Sequence, residues 1–170
     1  LNLTGYTRVI LKSDQEPAIV ALRNEVKKRW ALSSGGELLP ESSPKGESKS
    51  NGEIERAVQE VHGISRTLKE YVEFYAEIVL DPHWPIMAWL VEYSAVVYTL
   101  YQKGEPYDGM TAWQRLRGKE WKVSLPHFGE VIDFKRRTKY QLDARWETGV
   151  FLGVVLTSTE KIVGTPSDVY

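Results

Sequence analysis

Two acidic residues, Asp14 and Glu55, have types and settings that suit metal-assisted chemistry on a phosphodiester. Asp14 closes the stretch "YTRVILKSD" (6–14), whose β-branched and aromatic residues run into a polar stop. That pattern predicts a strand with an aspartate at its carboxyl end. Glu55 falls in "SNGEIER" (50–56), at the head of a predicted helix that follows a long loop. Two such carboxylates can converge on one ion. Magnesium takes oxygen ligands, keeps several waters, and is often held by only one or two protein carboxylates plus substrate phosphates. A pair of such ions about 4 Å apart activates the attacking oxygen and stabilises the leaving one. Without a cation, carboxylates facing each other at that distance repel by roughly 4 kcal/mol at an effective dielectric of 20. Plainer roles stay open for both residues. An aspartate there can simply serve a turn before a helix, and a glutamate early in a helix is favoured by the dipole alone. Neighbouring Glu53 has its own task, because Ser50 and Glu53 stand at capping-box spacing. Glu55, about 200° further round the helix, is not needed for that cap.

The elements around these residues follow from periodicity. After the first strand, Pro17 suits the first turn of a helix over 17–31, with Leu22, Val26 and Trp30 as its apolar stripe and Arg23, Lys27 and Lys28 on the wet side. Residues 33–50 have loop composition, with a weak strand signal at 37–39. From Ser50, residues Ile54, Val58, Val61, Leu68, Val72, Tyr75 and Val79 mark a long amphipathic helix of about seven turns, with Ser65 in the skipped position. Asp81-Pro82 is expected to end it. The segment 84–102 is apolar nearly all round and reads as a buried helix. Its longest apolar run is shorter than the ~20 residues a bilayer needs, and Glu92 interrupts it. "TAWQRLRG" (111–118) predicts a short helix with a Thr111/Gln114 capping box and a Gly118 stop. Beyond Trp121 the period becomes two, and 130–135, 148–156 and 161–165 read as short antiparallel strands in a meander or barrel.

Composition narrows the chemistry further. The chain of 170 residues has a formal net charge of −1, so any basic surface must be local. There is no cysteine, which excludes disulfides and thiolate zinc sites. His62, His83 and His127 are too scattered to form a metal cluster. Residues 115–145 hold nine Lys/Arg against four acids, a local excess of five positive charges. Within them "KRRTK" (Lys135, Arg136, Arg137, Thr138, Lys139) falls between two predicted strands, a place suited to gripping phosphates without sequence preference. A basic hairpin turn also serves solubility.

Several segments, in order, resemble the integrases of copia-type retrotransposons, whose catalytic cores are of the retroviral-type, ribonuclease H-like kind. "LKSDQEPAI" resembles the strand end that carries the family's second catalytic aspartate, and "SPKGESKSNGEIERAVQEV" the segment that carries its catalytic glutamate. "WPIMAWLVEYSAVVYTLYQK", "GMTAWQRLRGKEW", "PHFGEVIDF" and "LDARWETGVFLGV" are similar to the family's later segments. The resemblance spans essentially the whole chain.

It implies an α/β (α+β) architecture: the distal part of a truncated ribonuclease H-like core with long helices over 1–120, then a small antiparallel β-unit or barrel over 121–170. It implies metal-dependent DNA 3′-processing and strand transfer, with Asp14 and Glu55 as catalytic, metal-holding carboxylates for two Mg2+ or Mn2+ ions. Asn51, Gly52 and Arg56 become motif neighbours. Asn51, Arg56 and Arg66, with Gln59 and His62 alongside, are expected to lie near DNA, together with Lys135, Arg136, Arg137 and Lys139. Partners would be the element's DNA ends and the target DNA, with homo-oligomers and a nuclear site for the full-length family, and no membrane. Forty residues separate Asp14 from Glu55, wider than is usual in the family, and the Ser/Gly/Lys-rich loop would absorb the excess. The family's first aspartate lies on an earlier strand, and no Asp or Glu occurs in residues 1–13. The expectation is a piece of a longer polyprotein that is catalytically incompetent by itself. The alternatives are a non-catalytic nucleic-acid-binding remnant or scaffold, and a helical interaction domain.

Overall fold

The computed structural model describes residues 6–13, 15–34, 36–42, 52–104, 108–136, 140 and 142–170. The chain mixes helices with two small sheets, an α+β composition. It divides into two compact units, Leu1–Val58 and Gln59–Tyr170.

The first unit is built on a strand–helix–strand crossover. Strand β1 (Arg8–Ser13) leads through helix α1 (Pro17–Ser34) to strand β2 (Glu37–Ser42), which pairs with β1 in parallel from Arg8↔Glu37 to Ser13↔Ser42. Parallel neighbours need such a crossover, because a tight turn can only reverse the chain. The Glu37 N–H donates to the Thr7 carbonyl at 2.7 Å. Backbone groups alternate sides along a strand, so Pro40, which has no N–H, faces away from β1, where no ladder bond is lost. Helix α1 buries a different face from the one its sequence suggests. Leu22 is 61% exposed, whereas Val20, Arg23, Val26 and Trp30 turn inward. Arg23 is therefore not on the wet side. Trp30 and Leu38 are this unit's buried hydrophobic side chains among the described residues.

Helix α2 (Gly52–Ala76) has about the predicted length, its expected start at Ser50 lies outside the described residues, and the division between units falls within it, after Val58. Its apolar stripe is buried only in the middle. Val72 is 6% exposed, while Ile54, Val58 and Tyr75 are exposed. Ser65, the polar residue in the stripe, donates to the Val61 carbonyl and to Ser94 Oγ at 2.9 Å each, so the interruption marks a hydrogen-bonded crossing with helix α3 (Ile86–Tyr101). The helix stops before Asp81-Pro82. Glu77 adopts a left-handed conformation (φ 53°), and the Ile78 N–H returns to the Glu73 carbonyl, a Schellman-type ending. The Glu73 carboxylate accepts from Lys69 Nζ and from the Leu80 N–H, which ties the departing chain to the core and buries Leu80. Val79 consequently lies beyond the helix, 80% exposed.

Helix α3 also departs from expectation. Leu90, Tyr93, Ser94 and Leu100 are buried, but Ala88, Val91, Glu92 and Ala95 form an exposed face. Helix α4 (Ala112–Arg117) matches its signals: Thr111 and Gln114 make both capping-box bonds, and Gly118 takes the left-handed stop (φ 68°).

Strands β3 (Val131–Lys135), β4 (Trp146–Val154) and β5 (Lys161–Gly164) form an antiparallel meander in the order β3-β4-β5, with a bulge in β4 between Phe151 and Gly153. The last residues lengthen it, since Tyr170 and Val163 exchange two backbone hydrogen bonds. The core joins Val72, Leu80, Leu90, Tyr93, Phe128, Phe151 and Leu152. Tyr93 stacks on Phe128 and meets Phe151 edge-on, with ring centroids 5.7 and 5.5 Å apart. Burial pushes the Tyr93 hydroxyl up to about 12. Gly129 is required twice over: its φ is 82°, and a Cβ there would stand 2.8 Å from Val72 Cγ2.

Candidate functional site

The carboxyl ends of β1 and β2 lie side by side, Ser13 paired with Ser42, because the strands run parallel. This carboxyl edge is the place where open α/β sheets present ligand-binding groups. Arg23 reaches the edge from α1. Its Nη1 donates to Ser13 Oγ at 3.2 Å, Ser42 Oγ at 3.2 Å and the Glu41 carbonyl at 3.3 Å. One guanidinium thus pins both strand ends. Residue-type patterning missed it, since an arginine among exposed lysines reads as surface. The available signal was its place between Val20 and Val26 on one face, together with the hydroxyls that end each strand.

Asp14 and Asn51 lie outside the described residues, as do Ser50 and its proposed cap on Glu53. Glu55 and Arg56 are exposed in the first turns of α2, where the positive end of the helix dipole favours a carboxylate. Glu55 offers hard oxygen donors of the kind Mg2+ or Mn2+ takes, so its chemistry fits the implied ion. Among the described residues no three His, Cys, Asp or Glu side chains gather to hold a metal. Arg66, Gln59 and His62 are exposed on the later turns of the same helix.

The basic stretch occupies the connection between β3 and β4. Lys135 ends β3 opposite Trp146 and is exposed, and the Arg136 N–H donates to the Arg145 carbonyl at 2.7 Å. Arg136 is already engaged: its Nη1 lies 3.4 Å from Glu147 Oε2, and its guanidinium sits 5.6 Å from the Tyr170 ring centroid. Arg137 and Lys139 lie outside the described residues.

A second basic grouping surrounds α4. Arg115 grips Asp108 through two 3.0 Å bonds, which hold that carboxyl at about 2, below the ordinary range. Trp113 and Trp121 meet edge to face at 5.1 Å, and Arg117 lies 5.5 Å over the Trp113 ring. Both rings line a cavity of about 600 Å³, which the sequence alone did not reveal. Among the described residues no helix is long and apolar enough to cross a membrane. Comparison with protein-family models, with curated proteins and with solved structures returns no match for this chain.

Proposed function

We propose that this chain is the distal part of a retroviral-type integrase core with its trailing β-unit, of the copia retrotransposon kind and with a ribonuclease H-like fold. The observation that carries the reading is the order of elements at the strand ends. Strand β1 ends at Ser13 on the carboxyl edge of a parallel strand–helix–strand unit, and helix α2 carries Glu55 in its first turns. The sheet edge that is free among the described residues agrees with this. Pro40 blocks the outer side of β2, so further strands of a larger sheet would add beside β1, where Arg8, Ile10 and Lys12 direct their backbone groups.

In this reading Asp14 and Glu55 hold divalent cations, which supply an activated attacking oxygen and charge neutralisation at the phosphate. Arg23 fixes the strand end that carries Asp14. Arg56 and Arg66, with the Lys135–Lys139 segment, bind the DNA backbone. The first family aspartate has no counterpart in residues 1–13, so these 170 residues are expected to bind metal and DNA without joining strands.

The test uses Mn2+ as a paramagnetic probe in amide NMR of the whole chain. Signals from Ser13 and Glu55 should broaden together at substoichiometric Mn2+, and Asp14→Asn or Glu55→Gln should each abolish the effect at both places. Broadening at one place alone, or broadening that survives both substitutions, would overturn the shared-ion reading.

A further inference from the structure

The α4 cavity is the strongest unassigned feature of the C-terminal unit. Trp113 and Trp121 supply its aromatic lining, and Arg117, Lys119 and Lys122 face it with Glu120 as the sole acid. Its volume of about 600 Å³ falls within the ~300–1,000 Å³ range of small-molecule sites and suits one nucleotide. Lys119 and Lys122 are in no ion pair among the described residues. Glu120 is turned toward α4, where its Oε1 accepts from Gln114 Nε2 at 3.3 Å.

Two further observations single this cavity out. Trp113 is 5% exposed, and its indole Nε1 is buried without an acceptor among the described residues. Native proteins rarely leave such a donor unmatched, and the exceptions call for a reason. On the rim, Thr159 holds φ at 63°, a conformation that β-branched residues avoid and that tends to gather at binding sites.

Aromatic rings beside unpaired cations recognise a flat π-system that carries negative charge. We infer that the Trp113/Trp121 cavity binds an unpaired nucleotide of a single-stranded nucleic acid, its base against the half-buried Trp121 ring, which Trp113 backs, and its phosphates on Lys119 and Lys122. Such platforms accept any base, because every base has a π-face, and they favour single strands, because paired bases are not available to stack. Duplex DNA would meet only the cations. The inference goes beyond the carboxylate reading and requires no metal.

The test follows tryptophan fluorescence of the whole chain in EDTA, with an oligothymidylate of about 12 nucleotides, a duplex of equal length and a polyglutamate peptide of matched charge. The single strand should quench fluorescence and bind at least about tenfold tighter than the duplex or the peptide, in keeping with the ~1–3 kcal/mol that each stacked base contributes. Lys119→Ala with Lys122→Ala should flatten the dependence of log affinity on log salt by about 1.4, at ~0.7 per phosphate contact on a single strand. Trp121→Phe should keep the preference for the single strand and Trp121→Ala should lose it, with circular dichroism confirming that both fold. Equal affinity for single strand, duplex and peptide, or an unchanged salt slope in the lysine double variant, would overturn the inference. Asp14→Asn and Glu55→Gln should leave this binding untouched, which separates its failure from that of the shared-ion reading.

Discussion

The unit that carries the proposed acid is thinly packed, whereas the unit that follows is locked by interleaved aromatics. Among the described residues of Leu1–Val58 only Trp30 and Leu38 are buried hydrophobics, while Ile10, Leu22, Leu32 and Ile54 are each more than half exposed. In Gln59–Tyr170, by contrast, Tyr93, Phe128 and Phe151 close on one another, and Phe151 is fully buried. Burying one such ring contributes about 1.5–3 kcal/mol, so a handful of them decides which unit holds independently. The difference teaches that the strand ends are ordered chiefly by polar pinning through Arg23 and the ladder, and the meander by packing.

The sharpest way to break the comparison is Phe151→Ala. It should cost about 3–5 kcal/mol and unfold the C-terminal unit in chemical denaturation. A loss below about 1 kcal/mol would mean that the aromatic cluster does not hold that unit together. Gly129→Ala should follow at about 2–3 kcal/mol, because it adds a Cβ against Val72 to a left-handed backbone. Arg23→Met should cost about 1–3 kcal/mol. Its signature is local: amide hydrogen exchange should accelerate in β1 and β2 and stay unchanged in β4. Uniform acceleration would mean that the two units do not open separately.

The smallest effect concerns pH. Hydrogen bonds from Arg115 and from the Met110 N–H hold Asp108 at about 2, against an ordinary 3.8. The Lys69 and Leu80 donors lower Glu73 in the same direction. A carboxyl whose folded value is depressed stabilises the fold above its unfolded value and loses that contribution as pH falls through the folded one. Asp108→Asn should therefore lower stability slightly at pH 7 relative to the wild type, and the gap should close between about pH 4 and pH 2. A gap that persists at pH 2 would assign the effect to packing.

How much could be read in advance depended on the range of each interaction. The Thr111/Gln114 box, the Gly118 stop, the length of α2 and the period-two strands were legible because they rest on neighbours within four residues or on strict alternation. Ser65 was visible as a gap in a stripe, but its partner Ser94 was not. Misreadings arose where a distant group chose the face. Arg23 turned inward because Ser13, Glu41 and Ser42 offered acceptors. Glu73 bonded the Leu80 N–H and drew Leu80 into the core, so α2 ended at Ala76. Helix α3 kept an open face although its composition suggested complete burial. Of the candidate site, the strand end beside position 14 and the helix bearing Glu55 were legible, whereas the arginine pin and the Trp113/Trp121 cavity were not.

Local propensity and periodicity by themselves determined where this chain forms helices and strands, and which residue types stand at their ends. Which face each helix buries, which strand lies beside which, and which charges meet an opposite partner were decided only by the tertiary structure. The physical reason is that burial and hydrogen bonding between distant segments contribute more free energy than the few tenths of a kcal/mol that separate local alternatives.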